Sequence, residues 1–208
     1  MDLEKKIEPQ GNIVKDFLLV ANEYCMLMEN MAEYSKKELL EKVQKILSLI
    51  YIKASVLPVP AEGDELYVEK FVQEEDWQFI QNGLAGKLGS RESFFEVFTP
   101  DSLETDNAED ISLSEALTDV YQDMKDIVTL YQLGNEESLE GGLFDCKINF
   151  ERYWGPRLLA VLSVIHNIIY GTENLEDEDD NSTDKSVKNE KPNTDNWLIN
   201  RKFDDFKN

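Results

Sequence analysis

Apolar residues at Ile13, Phe17, Val20, Tyr24, Leu27 and Met31 follow steps of four and three. That spacing puts all six on one stripe of a helix, with Glu23, Glu29 and Glu33 off it. Ser35-Lys36-Lys37-Glu38 reads as a capping box, in which the Ser hydroxyl and the Glu carboxylate satisfy free amides at a helix start. The next stripe is Leu39, Val43, Ile46, Leu47, Ile50 and Ala54, and Pro58 and Pro60 end it because neither has an amide hydrogen to donate. With almost no loop between them, the two helices are expected to form an antiparallel hairpin.

Residues 61–76 are acidic and weakly patterned, with Leu66, Tyr67, Phe71 and Val72 as a short apolar set. Trp77, Ile80, Leu84 and Leu88 predict a third helix, closed by a left-handed cap at Gly89. The apolar run 94–98 has the length of a strand but no evident partner, so it is expected to be an extended segment packed on the helices. Residues 101–110 form a second acidic loop without Lys or Arg. Ser112-Leu113-Ser114-Glu115 is another capping box, opening a helix with Leu117, Val120, Met124, Ile127, Val128 and Tyr131 inward and its end at Gly134. A last helix is predicted from about Asn135 to Tyr170, with Gly171 as terminator and Pro156 kinking or splitting it. Beyond Trp154 it is apolar on most faces, which predicts a place at the centre of the bundle. The pattern therefore gives an all-α fold: one helical bundle of five to six helices over residues 10–171, with acidic loops. Residues 172–194 follow as an acidic disordered linker and 195–208 as a short amphipathic segment.

Charge narrows the function classes. The chain carries a formal −22 with a sequence pI near 4.3, and most of that charge remains when residues 172–208 are set aside. Direct nucleic-acid binding is not expected, because neutralising phosphates needs clustered Lys and Arg. A protein partner with a basic surface fits better. Cys25 and Cys146 have no metal or redox spacing. Neither a signal-peptide core nor a membrane-spanning apolar run is present, so the expected setting is cytoplasmic, with no membrane role.

Four segments in fixed order resemble a bacterial family known as domain of unknown function 5063. They are Glu74-Glu75-Asp76-Trp77 leading to Leu88-Gly89; Phe95-Glu96-Val97-Phe98-Thr99-Pro100; Leu117-Thr118-Asp119-Val120-Tyr121-Gln122-Asp123-Met124-Lys125; and Phe150-Glu151-Arg152-Tyr153-Trp154-Gly155 running to Leu162 and His166. The resemblance covers residues 72–166. It departs at Thr99, where the family has Asp, and at Pro156-Arg157, where it has Arg-His. It implies a helical fold and a bacterial origin, and no activity.

Three constellations bear on chemistry. Glu115, Asp119, Asp123 and Asp126 share one side of a helix. They read as a solvated face, with Asp119 and Asp123 as the candidate ligands if a divalent metal is bound. Arg152, Tyr153, Trp154 and Arg157 cluster at the expected kink. Either they line an anion or ligand pocket, or the guanidiniums pair with Asp119 or Asp123 while Trp154 packs in the core. His166, on the side of Tyr153, Val164 and Tyr170, reads as an ordinary hydrogen-bonded histidine. Trp197, Leu198, Ile199, Phe203 and Phe206 form an apolar set expected either to dock on the bundle or to bind a partner. No nucleotide, zinc-hydrolase or nucleophile-elbow motif occurs, and no cofactor is expected. The leading expectation is a non-enzymatic acidic adaptor. A metal-dependent hydrolase of a phosphorylated small molecule is the alternative, and a nucleic-acid mimic regulating a DNA-processing enzyme the third.

Overall fold

The computed structural model of the chain describes residues 4–58, 70–96, 109–134 and 136–171. The linker and amphipathic segment expected over 172–208, and most of the two acidic loops, lie outside the described residues. Those described form a helical bundle: α1 (Glu4–Glu29), α2 (Lys36–Ser55), α3 (Glu74–Leu88), α4 (Leu113–Leu133), α5 (Glu136–Asn149) and α6 (Gly155–Tyr170). A π-helical turn, Phe150–Trp154, joins the last two.

The first two stripes pack as their spacing requires. Phe17, Tyr24 and Met28 from α1 meet Leu39, Val43, Leu47 and Ile50 from α2 in one core. The Ser35 box forms in full: the Ser35 side chain accepts from Glu38 N, and Ser35 N donates to Glu38 Oε2 at 3.0 Å. Lys53 near the end of α2 pairs at 2.7 Å with Asp16 in the middle of the longer α1, as an antiparallel hairpin allows. The second box forms only by half. Ser112 Oγ accepts from Glu115 N at 3.0 Å, but its own hydroxyl donates to Glu92 rather than being part of a reciprocal bond with Glu115.

Four expectations are corrected. Ser93–Glu96 (β1) does have a partner, pairing antiparallel with Glu109–Ser112 (β2), in register from Ser93↔Ser112 to Glu96↔Glu109. The ladder is made of backbone groups, so the acidic sequence of β2 conceals it. Gly89 takes φ 59° with ψ −123°, a positive-φ stop that lies outside the left-handed helical region reached by Gly134 (φ 71°, ψ 17°).

The central helix is α4, not α6. Helix α4 packs on α1, α3, α5 and α6 and buries residues on nearly every side, among them the polar Ser114, Thr118, Asp126 and Thr129. Thr118 and Thr129 satisfy their hydroxyls on carbonyls one turn back, which lets a polar sequence sit inside. Tyr131, read as inward, is exposed in its last turn. Helix α6 buries only one stripe, Leu158, Val161, Ile165 and Ile168, against α2 and α4. Its break falls where Pro156 predicted, but as a wider turn preceding the proline. Gly155 N donates to the Phe150 carbonyl five residues back, and Pro156 sits in the first turn of α6, where a missing amide hydrogen costs nothing.

Candidate functional site

Two places on the bundle concentrate chemistry. The first is a polar seam along α4, where Asp119, Asp123 and Asp126 lie on successive turns. The solvated-face reading fails for the last two: the Asp126 side chain is 4 % exposed and that of Asp123 20 %. Asp126 Oδ1 accepts from the backbone amides of Phe71 at 2.8 Å and Val72 at 3.2 Å, so it straps the segment entering α3 onto α4. Lys70 lies 3.4 Å from Asp126 Oδ2 and 3.9 Å from Asp123 Oδ1. Asn149 donates to Asp123 Oδ1 at 3.3 Å. Burial pushes the Asp123 carboxyl up to about 6, against the opposing pull of Lys70 and Asn149. Burial raises Asp126 as well, with the Phe71 amide, Lys70 and the Val72 amide opposing.

Asp119 is held on both oxygens, Oδ1 by the Trp77 indole at 3.3 Å and Oδ2 by the Arg157 guanidinium. The pairing expected of Arg157 is thus present, while Arg152 and Tyr153 are exposed. Trp154 packs in the core 4.8 Å from the Phe150 ring, and its indole nitrogen is buried with no hydrogen-bond partner. The two candidate metal ligands, Asp119 and Asp123, are therefore occupied by Trp77, Arg157, Asn149 and Lys70. Among the described residues no group of three or more His, Cys, Asp and Glu is placed to hold a metal ion.

Sequence reasoning missed Lys70, Asn149 and Trp77 in this seam. Lys70 carried a signal, being the lone cation in the acidic stretch 61–76; Asn149 carried none. Two further polar links were also unforeseen. Glu29 accepts from Lys125 Nζ at 2.7 Å and Tyr121 OH at 3.1 Å, joining α1 to α4. Lys147 is buried and donates to the terminal α2 carbonyls of Ala54 at 3.1 Å and Ser55 at 3.2 Å. Cys25 and Cys146 are both buried and free, and burial pushes both thiols up, away from the reactive thiolate.

The second place is an open groove of about 630 Å³ between α2 and α6, lined by Gln44, Lys45, Ser48, Leu49, Leu162, Ser163 and His166. His166 lies beside Tyr170, as the helical wheel placed it, with ring centroids 4.7 Å apart. Exposed apolar side chains extend along both helices, Leu49, Ile52 and Val56 on α2 and Leu159 on α6.

Comparison with known proteins bears on the fold. The family profile described as "Domain of unknown function (DUF5063)" matches residues 10–171. The chain belongs to this family. The match spans the whole bundle, α1 and α2 included, beyond the central segments that first suggested it. A crystal structure of protein BF1032 from Bacteroides fragilis is similar, with 29 % sequence identity and a TM-score of 0.69. The similarity covers 77 % of this chain and 94 % of that one. No curated protein matches the chain. In this DUF5063 member no helix among the described residues is long and apolar enough to cross a membrane.

Proposed function

We propose that this DUF5063 chain is a non-enzymatic protein-interaction module that binds through the α2–α6 face. The observation that carries the reading is the exposure of Leu49, Ile52, Val56 and Leu159 at 48, 58, 53 and 47 % beside an open groove. Adjoining apolar side chains on two neighbouring helices are what a partner would cover. The α4 seam supports the same reading, because its carboxylates are engaged in joining elements. A cytoplasmic setting agrees with two buried, unpaired cysteines. The expectation of a basic partner rests on the net charge of −22, most of which remains when residues 172–208 are set aside.

The test is capture from lysate on the immobilised full chain at low and moderate salt, beside the Ile52→Asp variant. Proteins retained by the wild type and lost by the variant support the module. Equal recovery on both, or none at any ionic strength, counts against it. A rise in melting temperature with millimolar Mg²⁺ that disappears in Asp123→Asn would instead favour the metal-dependent hydrolase.

A further inference from the structure

The groove between α2 and α6 departs from the rest of the chain in charge. The sequence holds 43 Asp and Glu residues, yet residues 42–58 and 152–171 contain none. Those two stretches supply most of α2 and all of α6, and they carry Lys42, Lys45, Lys53, Arg152 and Arg157. Lys53 is paired with Asp16 and Arg157 with Asp119. Lys45 and His166 line the groove itself, and no acid does. One turn from Lys45, Lys42 lies 5.0 Å from the centre of the Tyr34 ring.

Resting on the interaction reading above, we infer that this groove accepts an amphipathic helix of a partner protein whose apolar stripe is flanked by Asp and Glu. Three observations fix that chemistry. Lys45, Leu49, Ile52 and Val56 follow steps of four, three and four on α2, as do Leu159, Ser163, His166 and Tyr170 on α6. Two such ridges, with the small Ser163 in one and the small Ser48 beside the other, match the packing of a third helix. The α2 ridge runs twelve residues, whose eleven steps of 1.5 Å make about 17 Å, or three helical turns. Secondly, both walls are helices, so an extended peptide would find no sheet edge for its backbone amides, whereas a helix satisfies its own. Thirdly, a second copy would bring only the same acid-free lining with its own Lys45, while an acid-flanked helix supplies the carboxylates that complement Lys45.

The experiment is display selection on the full chain from a library of helical peptides, each with a Leu stripe and flanks randomised among Glu, Gln and Lys. The expected winners carry Glu flanks, and their binding to the full chain falls about tenfold in Lys45→Glu and at least about tenfold in Ile52→Asp. Winners with Lys or neutral flanks, or winners indifferent to both substitutions, overturn the proposal. So does enrichment no greater than on an unrelated helical bundle. A concentration-dependent dimer abolished by Ile52→Lys would assign the face to a second copy. Selection succeeding only on a chain cut after Gly171 would assign it to the chain's own residues 172–208. Lysate proteins lost in Ile52→Asp without any preference for acidic peptides would sink the acidic-helix proposal while leaving the interaction module standing.

Discussion

Asp123 is the residue whose environment reaches furthest into measurable behaviour. Its carboxyl is raised from the ordinary 3.8 to about 6 in the folded chain. The folded state therefore holds a proton that the unfolded state has already released. The stability this contributes is fully present below pH 3.8 and is lost as pH rises through 6. Asp126, raised in the same direction, adds to the trend. Urea denaturation should find Asp123→Asn more stable than wild type at pH 8 by on the order of 1–3 kcal/mol, the gap closing toward pH 4. Asp126→Ala moves the other way. It strands the Phe71 and Val72 amides and should cost about 2–4 kcal/mol, read as a lower urea midpoint. A third residue test is Gly155→Ala. A Cβ there would overlap the Phe150 carbonyl oxygen inside the π turn, and the clash should cost about 1–3 kcal/mol by thermal or urea melting. The sequence marked Asp123 and Asp126 as a carboxylate set but not as buried, because they share the helix surface with the exposed Glu115.

Among elements, the helices with strong punctuation were legible and the ones defined by contact were not. Ser35 with Glu38, Pro58, Gly89 and Gly134 bracket α2, α3 and α4 because caps and stops act through the local backbone. The β1–β2 ribbon was hidden because β2 is a run of Glu, Asp, Ile and Ser in which Ile111 is the single strong strand former. The exchange of α4 for α6 at the centre has a similar cause. Hydropathy ranks α6 as the greasier helix, while α4 is covered on more sides and tolerates its Ser and Thr by hydroxyl-to-carbonyl bonds. The candidate groove was legible in one respect, the absence of acids over 42–58 and 152–171, but only the fold brings the two stretches side by side. Lys147 shows how much one contact between elements can carry, since its ammonium caps the end of α2 from α5. Lys147→Met should take the ammonium from the Ala54 and Ser55 carbonyls, of which Ala54 keeps the Leu57 amide, and lower stability by about 1–3 kcal/mol in urea.

For the whole molecule, a net −22 means that the chain folds against its own repulsion. Added NaCl should raise the melting temperature across the range where the Debye length shrinks from about 30 to 8 Å, a trend that differential scanning fluorimetry resolves. Order of synthesis follows from the placement of α4. The α1–α2 hairpin is complete by Ser55, yet the helix that covers its apolar side begins only at Leu113 and ends at Leu133. At about 5–20 residues per second, the growing chain waits roughly 4–16 s between those points. Through that interval Phe17, Tyr24 and Met28 lack the cover that α4 gives the hairpin in the finished bundle.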